Sequence, residues 1–493
     1  MIVNNIFKSS LLFTLLFIGL TILINPFQLI GLTDIGFFIT ALYNIKELGL
    51  YETSLLDRSS YITNLLLLSF YPLSYIKDPI FFTYVMYYIT YMLWFMVSYY
   101  LLFKTFNIKN LLLYFLMFFS SITILIHYSL NHNGWHSIYI SIPFLLLSYY
   151  QIYIKKNYFL GIIIYVPLFF LQVSFILMFT FLILTFYFIE KEKKYLIYFI
   201  TSLIFLIAYL KFLPLIIDNQ SSSTIMNERY GYLFNFTSFE ELFRIIINKA
   251  HIKIAMMSFF FIPFLFLIKI RSIKKIDLLI YATLITPIFG YSFFSLQIPT
   301  SYWVHEHYGL PLLALVFIII FKYGSFTKIR IAGYITSNIL LFVMILSLKQ
   351  PWQYKYYLDE KQLIHNIIPN MALKPETDIL SEEKTGIYFT NSQVNYIKEV
   401  YFNNKKRVPK YVVFNLRYSY FEENFKRDKP KNPISSFKYI KNFEPYLKNY
   451  GIIYLNYPFI VFEINKENSN NYTEDLLNEW DKKTIPLNSW LED

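Results

Sequence analysis

The sequence contains no cysteine and comparatively few charged residues. The absence of Cys excludes disulfides, thiolate metal sites and thiol catalysis. Charged residues make up 15% of the 493 residues, whereas a soluble globular chain usually carries about 25%. Hydrophobic residues account for 56% and aromatic residues for 21%. This combination indicates that much of the chain is apolar enough to lie in a membrane.

Motifs of soluble enzymes are also missing. The 13 glycines are scattered, and the sequence has no phosphate-binding glycine-rich loop, no HExxH, no nucleophile elbow and no DxD. Any chemistry must therefore be assembled from polar residues that the fold gathers, and we expect them at the outer surface of the membrane.

The charge that is present is distributed unevenly. Residues 1–348 contain 23 Lys+Arg and 13 Asp+Glu, and residues 349–493 contain 21 and 19. The last 145 residues are thus charged like an ordinary soluble domain. The positive excess lies in the apolar part, where it indicates topology rather than nucleic-acid binding. We predict a transmembrane domain at 1–348 and a small α/β domain at 349–493.

Apolar stretches predict about eleven transmembrane helices, since about 20 apolar residues cross the hydrocarbon core. Residues 158–189 are too long for one span, and we interpret them as two short helices hinged near Gln172. The other predicted spans are residues 9–29, 80–103, 111–130, 138–153, 196–217, 254–268, 278–294, 310–321 and 331–348.

Lysine and arginine set the predicted orientation. Clusters at 155–156, 191–194, 269–275 and 322–330 fall on one side, and the loops 131–136 and 297–307 without Lys or Arg fall on the other. The positive-inside rule then places the N-terminus in the cytoplasm. The predicted fold is a polytopic α-helical membrane protein of the cell membrane, with outer loops at 26–79 and 218–250 and an extracytoplasmic C-terminal α/β domain.

Within the C-terminal domain, β-rich apolar runs predict strands at 386–389, 411–414, 452–457 and 459–464. A helical pattern covers residues 435–449, and Gly451 follows as a stop signal.

Asp34 is the first candidate for chemistry, because it follows the first predicted span by a few residues. It is either a helix N-cap or solvated carboxylate, or a general base held where the loop returns to the interface. His305 and His307 precede a later predicted span. Their spacing of two suits a strand or loop, where they would hold a metal, bind a phosphate, or serve as interfacial residues.

Arg229, followed by Tyr230, lies in an outer loop that is poor in positive charge. A bidentate guanidinium suits a pair of phosphate oxygens, and an ion pair with Glu228 is the alternative. His136 closes a polar and aromatic stretch, residues 131–136, that suits the face of a sugar; a simple turn is the alternative.

These segments together resemble a prokaryotic family of predicted membrane proteins of unknown function that is grouped with the GT-C glycosyltransferases. The similarity extends over nearly the whole chain, and the order of the motifs carries it. The matching segments are Asp34-Ile-Gly-Phe-Phe with Ala41-Leu-Tyr-Asn44 and Gly49, Trp135-His136, Arg229-Tyr-Gly-Tyr-Leu, His305-Glu-His-Tyr-Gly-Leu-Pro311 and Lys410-Tyr-Val-Val-Phe.

The resemblance implies an inverting, GT-C-like membrane glycosyltransferase that moves a sugar from a polyprenyl-phosphate donor to a glycan, protein or lipid acceptor. Asp34 would be the base, or with His305 a ligand of a divalent cation. Arg229, Tyr230, His136, His305 and His307 would bind donor phosphate or substrate, and Asp57 joins them as a candidate without a matching motif.

Two departures from that family keep alternatives open. Ser60-Tyr61 stand where the family often has an acidic residue and a His, and Gln172-Val-Ser174 replace a charged triplet. A non-catalytic assembly or binding protein of the same fold is therefore an alternative. A lipid or solute transporter is another, although few ionisable groups lie within the predicted spans.

Overall fold

The structure is a computed structural model of the full chain. It describes residues 11, 14, 15, 42, 45, 62–77, 79–106, 138–171, 173–217, 261–294, 312–347, 362–374, 376–381, 389, 393–397, 408–416, 436–466 and 473–483.

Residues up to 347 form helices in the described ranges. A 3-10 helix, Ile62–Tyr75, precedes the first long α-helix. The α-helices, in chain order, are α1 (Pro79–Phe106), α2 (Ile138–Tyr149), α3 (Tyr158–Tyr165), α4 (Val173–Glu190), α5 (Lys193–Ile217), α6 (Ile262–Leu265), α7 (Lys275–Phe294), α8 (Leu312–Tyr323) and α9 (Lys328–Ser347).

Aromatic side chains fill the core between these helices. Trp94 of α1 meets Phe317 of α8 edge to face, with ring centroids 4.8 Å apart. Tyr165 of α3 contacts Phe179 of α4 at 5.0 Å, and its hydroxyl donates to the carbonyl of Phe175 at 3.0 Å. A helix that is apolar on all sides is expected to be either buried or membrane-spanning, and these side chains are buried against one another.

The long apolar stretch at 158–189 is divided, as predicted. Helix α3 continues into a 3-10 turn, Val166–Phe170, and α4 begins at Val173. Gln172 itself lies outside the described residues. Asn157 begins α3, because its side-chain oxygen accepts a hydrogen bond from the amide of Leu160 at 3.2 Å.

The prediction of eleven membrane spans is wrong. Within the described ranges, every helix is too short or insufficiently apolar to cross a membrane. The predicted polytopic membrane fold and the predicted location in the cell membrane are therefore wrong as well. The cytoplasmic N-terminus and the extracytoplasmic C-terminal domain were inferred from that topology and lose their basis with it.

Two physical reasons account for this error. The predicted span at 138–153 corresponds to α2, of 12 residues, and to a π-helical turn of 5 residues, Tyr150–Ile154, that continues it. At 1.5 Å per residue the two together measure about 25 Å, against about 30 Å of hydrocarbon. The described part of the predicted span at 310–321 belongs to α8, of which 12 residues are described. The composition also counts 46 tyrosines as hydrophobic, although each bears a hydroxyl. Longer helices such as α1 contain several of them.

Residues 378–464 supply a five-stranded mixed sheet in the order β2-β1-β3-β5-β4. Strand β1 pairs in parallel with β2 and β3, and β5 pairs antiparallel with β3 and β4. The strands are β1 (Asp378–Ser381), β2 (Gln393–Tyr396), β3 (Tyr411–Asn415), β4 (Tyr450–Asn456) and β5 (Phe459–Ile464), and the helices are α10 (Ser436–Phe443) and α11 (Glu474–Lys483).

Alternation along the strands sends side chains to two cores. Val412 and Phe414 pack with α10 and α11 on one face of the sheet, and Tyr411 and Val413 pack on the other with Leu363 of a short helical segment. A register shift between Ile452 and Tyr454 changes which residues of β4 face each core. The result is a sheet covered on both faces.

The strand predictions at 411–414, 452–457 and 459–464 are confirmed within one or two residues, and β5 has the predicted bounds. The predicted strand at 386–389 lies outside the described residues except for Phe389, which is not in a strand. The predicted helix at 435–449 is shorter: α10 ends at Phe443, because Pro445 lacks the amide hydrogen that another α-turn needs. Gly451 is not its stop signal but lies in β4.

Candidate functional site

All seven residues predicted from the sequence to act in a site lie outside the residues that the structure describes: Asp34, Asp57, His136, Arg229, Tyr230, His305 and His307. Their convergence on one site therefore stays a prediction.

The described residues bring together a different polar group, at the start of α7 and the end of α8. Asp277 lies in the first turn of α7, and its side chain is 4% exposed. Lys322 donates from Nζ to one carboxylate oxygen at 2.6 Å, and the Tyr323 hydroxyl donates a short hydrogen bond to the other. The amide of Lys274 donates to the Tyr323 oxygen at 3.3 Å. Asp277 is thus held by a cation and a hydroxyl from a second helix.

The positions of these charges suit the helices that carry them. A carboxylate is stabilised near a helix N-terminus and an ammonium near a C-terminus. Asp277 lies in the first turn of α7, and Lys322 lies in the last turn of α8. The group therefore fixes two helix ends against each other.

Two buried tyrosine hydroxyls lie beside Asp277. Tyr281 follows Asp277 by one turn of α7, and its ring centroid is 6.2 Å from that of Tyr153. Both residues are buried. Within the described part of the chain, neither hydroxyl forms a hydrogen bond to a protein group. The cluster thus contains two buried donors that the described protein groups leave unused.

Burial decides the protonation of these tyrosines. It raises the pKa of Tyr153, and the neighbouring Tyr149, Tyr281 and Asp277 raise it further. The pKa of Tyr281 is raised by burial and then by the negative charge of Asp277. Both side chains therefore stay protonated, so that their hydroxyls are available as hydrogen-bond donors and do not act as bases.

A second polar group joins the end of α4 to the starts of α3 and α5. Glu190 accepts hydrogen bonds from the hydroxyls of Tyr158 at 2.9 Å and Tyr195 at 2.6 Å, one on each oxygen. Lys194 pairs with Glu192, and its Nζ lies 5.2 Å from the ring centroid of Tyr158. Burial is the largest cause of a raised pKa in both tyrosines. This group stabilises a turn and is not arranged around a reacting atom.

The surface of α5 carries an aliphatic stripe, defined as Ile197, Ile200, Ile204 and Ile207. Their spacing of three or four residues places them on one helix face, and they are between 47% and 61% exposed. Contiguous exposed apolar patches are characteristic of binding surfaces. Phe181 and Phe188 of the neighbouring α4 are also exposed.

The described residues do not form a metal centre. Among them, no group of three or more His, Cys, Asp or Glu side chains is placed to hold a metal ion. The predicted cation ligands Asp34 and His305 are outside those residues, so the divalent cation stays a prediction.

Comparisons of this chain with protein-family models, curated proteins and solved structures give no match. The resemblance to the family grouped with the GT-C glycosyltransferases stays an interpretation of the sequence motifs.

Sequence reasoning missed Asp277 and the tyrosines around it, although one signal was present. Residues 242–305 contain a single acidic residue, Asp277, which follows the basic residues of 269–275. An isolated carboxylate in such an apolar stretch predicts a buried ion pair. Its lysine partner lies 45 residues further along the chain, and no sequence pattern indicates that pairing.

Proposed function

We propose that this chain is an inverting glycosyltransferase that uses a polyprenyl-phosphate sugar as donor. The observation that supports it is the aliphatic stripe of α5. Its isoleucines offer branched hydrocarbon surface of the kind that an isoprenoid chain covers, and burial of each methylene group contributes about 0.8 kcal/mol. Ten residues separate Ile197 from Ile207, so the stripe runs for about 15 Å along the helix, enough to hold an extended hydrocarbon chain.

The reaction would use residues assigned through the family resemblance. The acceptor hydroxyl attacks the anomeric carbon as Asp34 takes its proton, and the bond from that carbon to the phosphate oxygen breaks with inversion. Arg229, with His305 or His307, would stabilise the charge on the departing polyprenyl phosphate.

A non-catalytic protein that binds the same donor is the second candidate. The specific observation in its favour is the replacement of acidic positions of the resembled family by Ser60-Tyr61 and by Gln172-Val-Ser174. Such a protein would bind the donor lipid through the same aliphatic stripe but would not transfer the sugar.

A binding and turnover experiment tests both. Purified full-length chain in detergent is titrated with a fluorescent short-chain polyprenyl-phosphate glucose, and release of polyprenyl phosphate is followed with and without sugar acceptors. We expect Ile204→Asn to weaken binding about tenfold, since 1.4 kcal/mol corresponds to a factor of ten and a buried aliphatic side chain contributes at least that much. The control Ile329→Asn changes the same residue type at an 82% exposed position on α9, and should bind normally.

The outcomes separate the candidates. Binding that depends on Ile204, together with release of polyprenyl phosphate that Asp34→Asn lowers about 10²–10⁴-fold, supports the transferase. The same binding without any release supports the binding protein. If Ile204→Asn binds the donor as tightly as Ile329→Asn and the wild type, the lipid-donor proposal is rejected. It is also rejected if the wild type does not bind the donor.

A further inference from the structure

Four turns between helices lie together at one end of the helical part. The first two in chain order, residues 155–157 and 190–194, are held together by Glu190, which accepts hydrogen bonds from Tyr158 and Tyr195. We call this region the basic end. Its turns are residues 155–157, 190–194, 266–275 and 322–330.

The other two turns are joined by several backbone contacts besides the Asp277–Lys322 pair. The amide of Lys269 donates to the carbonyl of Tyr323 at 2.9 Å, and the amide of Ser325 donates to that of Leu267 at 2.9 Å. Arg330 donates to the carbonyl of Ile268 at 2.8 Å. These contacts hold the two segments at one position in the fold.

Aromatic contacts connect the two pairs of turns. Tyr153, just before the first turn, contacts Phe186 of α4 at 5.8 Å and Tyr281 of α7 at 6.2 Å between ring centroids. Tyr150 contacts Phe321 of α8 at 6.3 Å. The four turns are therefore neighbours on a single surface.

This surface is strongly positive. The four turns contain twelve basic and two acidic residues. When Asp277, which follows the third turn in α7, is included, the difference is nine charges. Each acidic group is already engaged: Asp277 by Lys322 and Tyr323, Glu192 by Lys194, and Glu190 by two tyrosine hydroxyls. Most of the basic side chains are left without a described acidic partner. The exposed ones are Lys155, Lys156, Lys191, Lys193, Lys269, Arg271, Lys274, Lys275 and Lys328.

Two of these lysines occupy backbone conformations that favour glycine. Lys156 has φ of 56° and Lys191 has φ of 52°, in the left-handed region that costs a side-chain-bearing residue about 1 kcal/mol. Glycine is the usual residue at such a position after a helix. Lysine at both places brings two ammonium groups to adjacent turns at a cost in stability, which is a feature of functional positions.

We propose that the basic end binds an oligophosphate, a compact ligand with several linked phosphate groups, between the turns 155–157 and 190–194. The ammonium groups of Lys155, Lys156, Lys191 and Lys193 would contact phosphate oxygens. The remaining basic side chains of the surface would raise the local concentration of the anion. A compact ligand is favoured because these four lysines belong to two turns that Glu190 holds together. Oligophosphate binding here does not require the proposed donor site, although Lys193 lies four residues before Ile197 of the aliphatic stripe.

Inorganic tripolyphosphate is the probe, and its binding to the full-length chain is measured by calorimetry at low and high salt. We expect binding that weakens with salt, because the contacts are electrostatic. The variant Lys156→Gly/Lys191→Gly removes both charges and relieves both strained conformations. We expect it to bind tripolyphosphate at least about tenfold more weakly and to unfold at an unchanged or higher temperature.

The control variant Lys466→Gln/Lys482→Gln removes two exposed lysines from the sheet-containing region and should bind normally. A further variant, Lys155→Gln/Lys193→Gln, keeps the backbone unaltered and should also bind weakly, which guards against misfolding of the glycine variant. The proposal is overturned if the wild type does not bind tripolyphosphate, if Lys155→Gln/Lys193→Gln binds like the control, or if binding occurs only to vesicles containing phosphatidylglycerol.

Discussion

Asp277 and Lys322 lie 45 residues apart in sequence, yet Nζ of Lys322 is 2.6 Å from Oδ1 of Asp277. The Asp277 side chain is 4% exposed and that of Lys322 is 29% exposed. Because the carboxylate is buried and the ammonium is not, the two partners are unequal: loss of the lysine leaves a buried charge, whereas loss of the aspartate leaves an ammonium that can reach water.

We therefore expect Lys322→Met to lower the free energy of unfolding by about 3 kcal/mol, the lower end of the range for breaking a buried pair. Asp277→Asn should cost less, and the double variant should cost less than the sum of the two single changes. Chemical denaturation of the four proteins measures this. The control Lys194→Met, at the exposed pair with Glu192, should cost under about 1 kcal/mol. Equal effects of Lys322→Met and Lys194→Met would contradict a stabilising role of the buried pair.

The tyrosines of the same cluster should respond differently to loss of their hydroxyls. Tyr323→Phe removes the hydroxyl that donates to Asp277, and should destabilise by about 1–3 kcal/mol. Tyr153→Phe and Tyr281→Phe remove hydroxyls that have no described protein partner, and should be neutral or slightly stabilising. Thermal and urea unfolding of the three variants provides the comparison. A loss above about 1 kcal/mol in Tyr153→Phe would show that its hydroxyl has a stabilising partner.

Gly161 permits close approach of α3 to the π-helical turn that follows α2. A Cβ added there would lie 2.5 Å from Cγ1 of Ile152, and the Gly161 carbonyl accepts a hydrogen bond from Ser148 at 2.7 Å. Gly161→Ala should destabilise by about 1–3 kcal/mol through overpacking. Adding Ile152→Ala removes the clashing atom, so the double variant should lose less than the sum of the single losses in urea unfolding. Additive losses would show that the clash is not the cause.

Tyr450 should make stability depend on pH in the alkaline range. Burial raises its pKa to about 12, and its hydroxyl donates to the carbonyl of Pro409 at 2.6 Å. Because the folded-state pKa lies above the unfolded value of about 10, the stabilising contribution is complete below pH 10. It is lost as pH rises through about 12.

Between pH 9 and pH 12 the wild type should therefore lose about 2 kcal/mol more of its unfolding free energy than Tyr450→Phe does, since each pKa unit corresponds to about 1.4 kcal/mol. Urea unfolding at the two pH values measures it. The raised pKa values of buried tyrosines in the helical part also make stability depend on pH, so the comparison is the difference between variant and wild type. Parallel pH curves would contradict the assignment.

The sequence predicted helix positions well where apolar stretches are long and continuous. Helices α5 and α9 begin within three residues of the predicted starts, and the break near Gln172 follows from Pro167 and the length of the stretch. The sequence could not decide whether such helices span a membrane, because burial in a core and burial in lipid require the same residues. Strands β1 and β2, with four residues each, are too short for their alternation to be recognised, and charged α11 was missed.

By itself, the sequence determined where much of the local structure forms: the apolar runs of the helices and the apolar, β-rich runs of β3 and β5. Only the tertiary structure decided which distant residues meet. Segments far apart in the chain are brought together in three ways: Asp277 pairs with Lys322, Tyr153 contacts Tyr281, and the five strands form one sheet. Backbone propensity acts over a few neighbouring residues, whereas these contacts depend on how whole helices and strands pack, which no short stretch of sequence encodes.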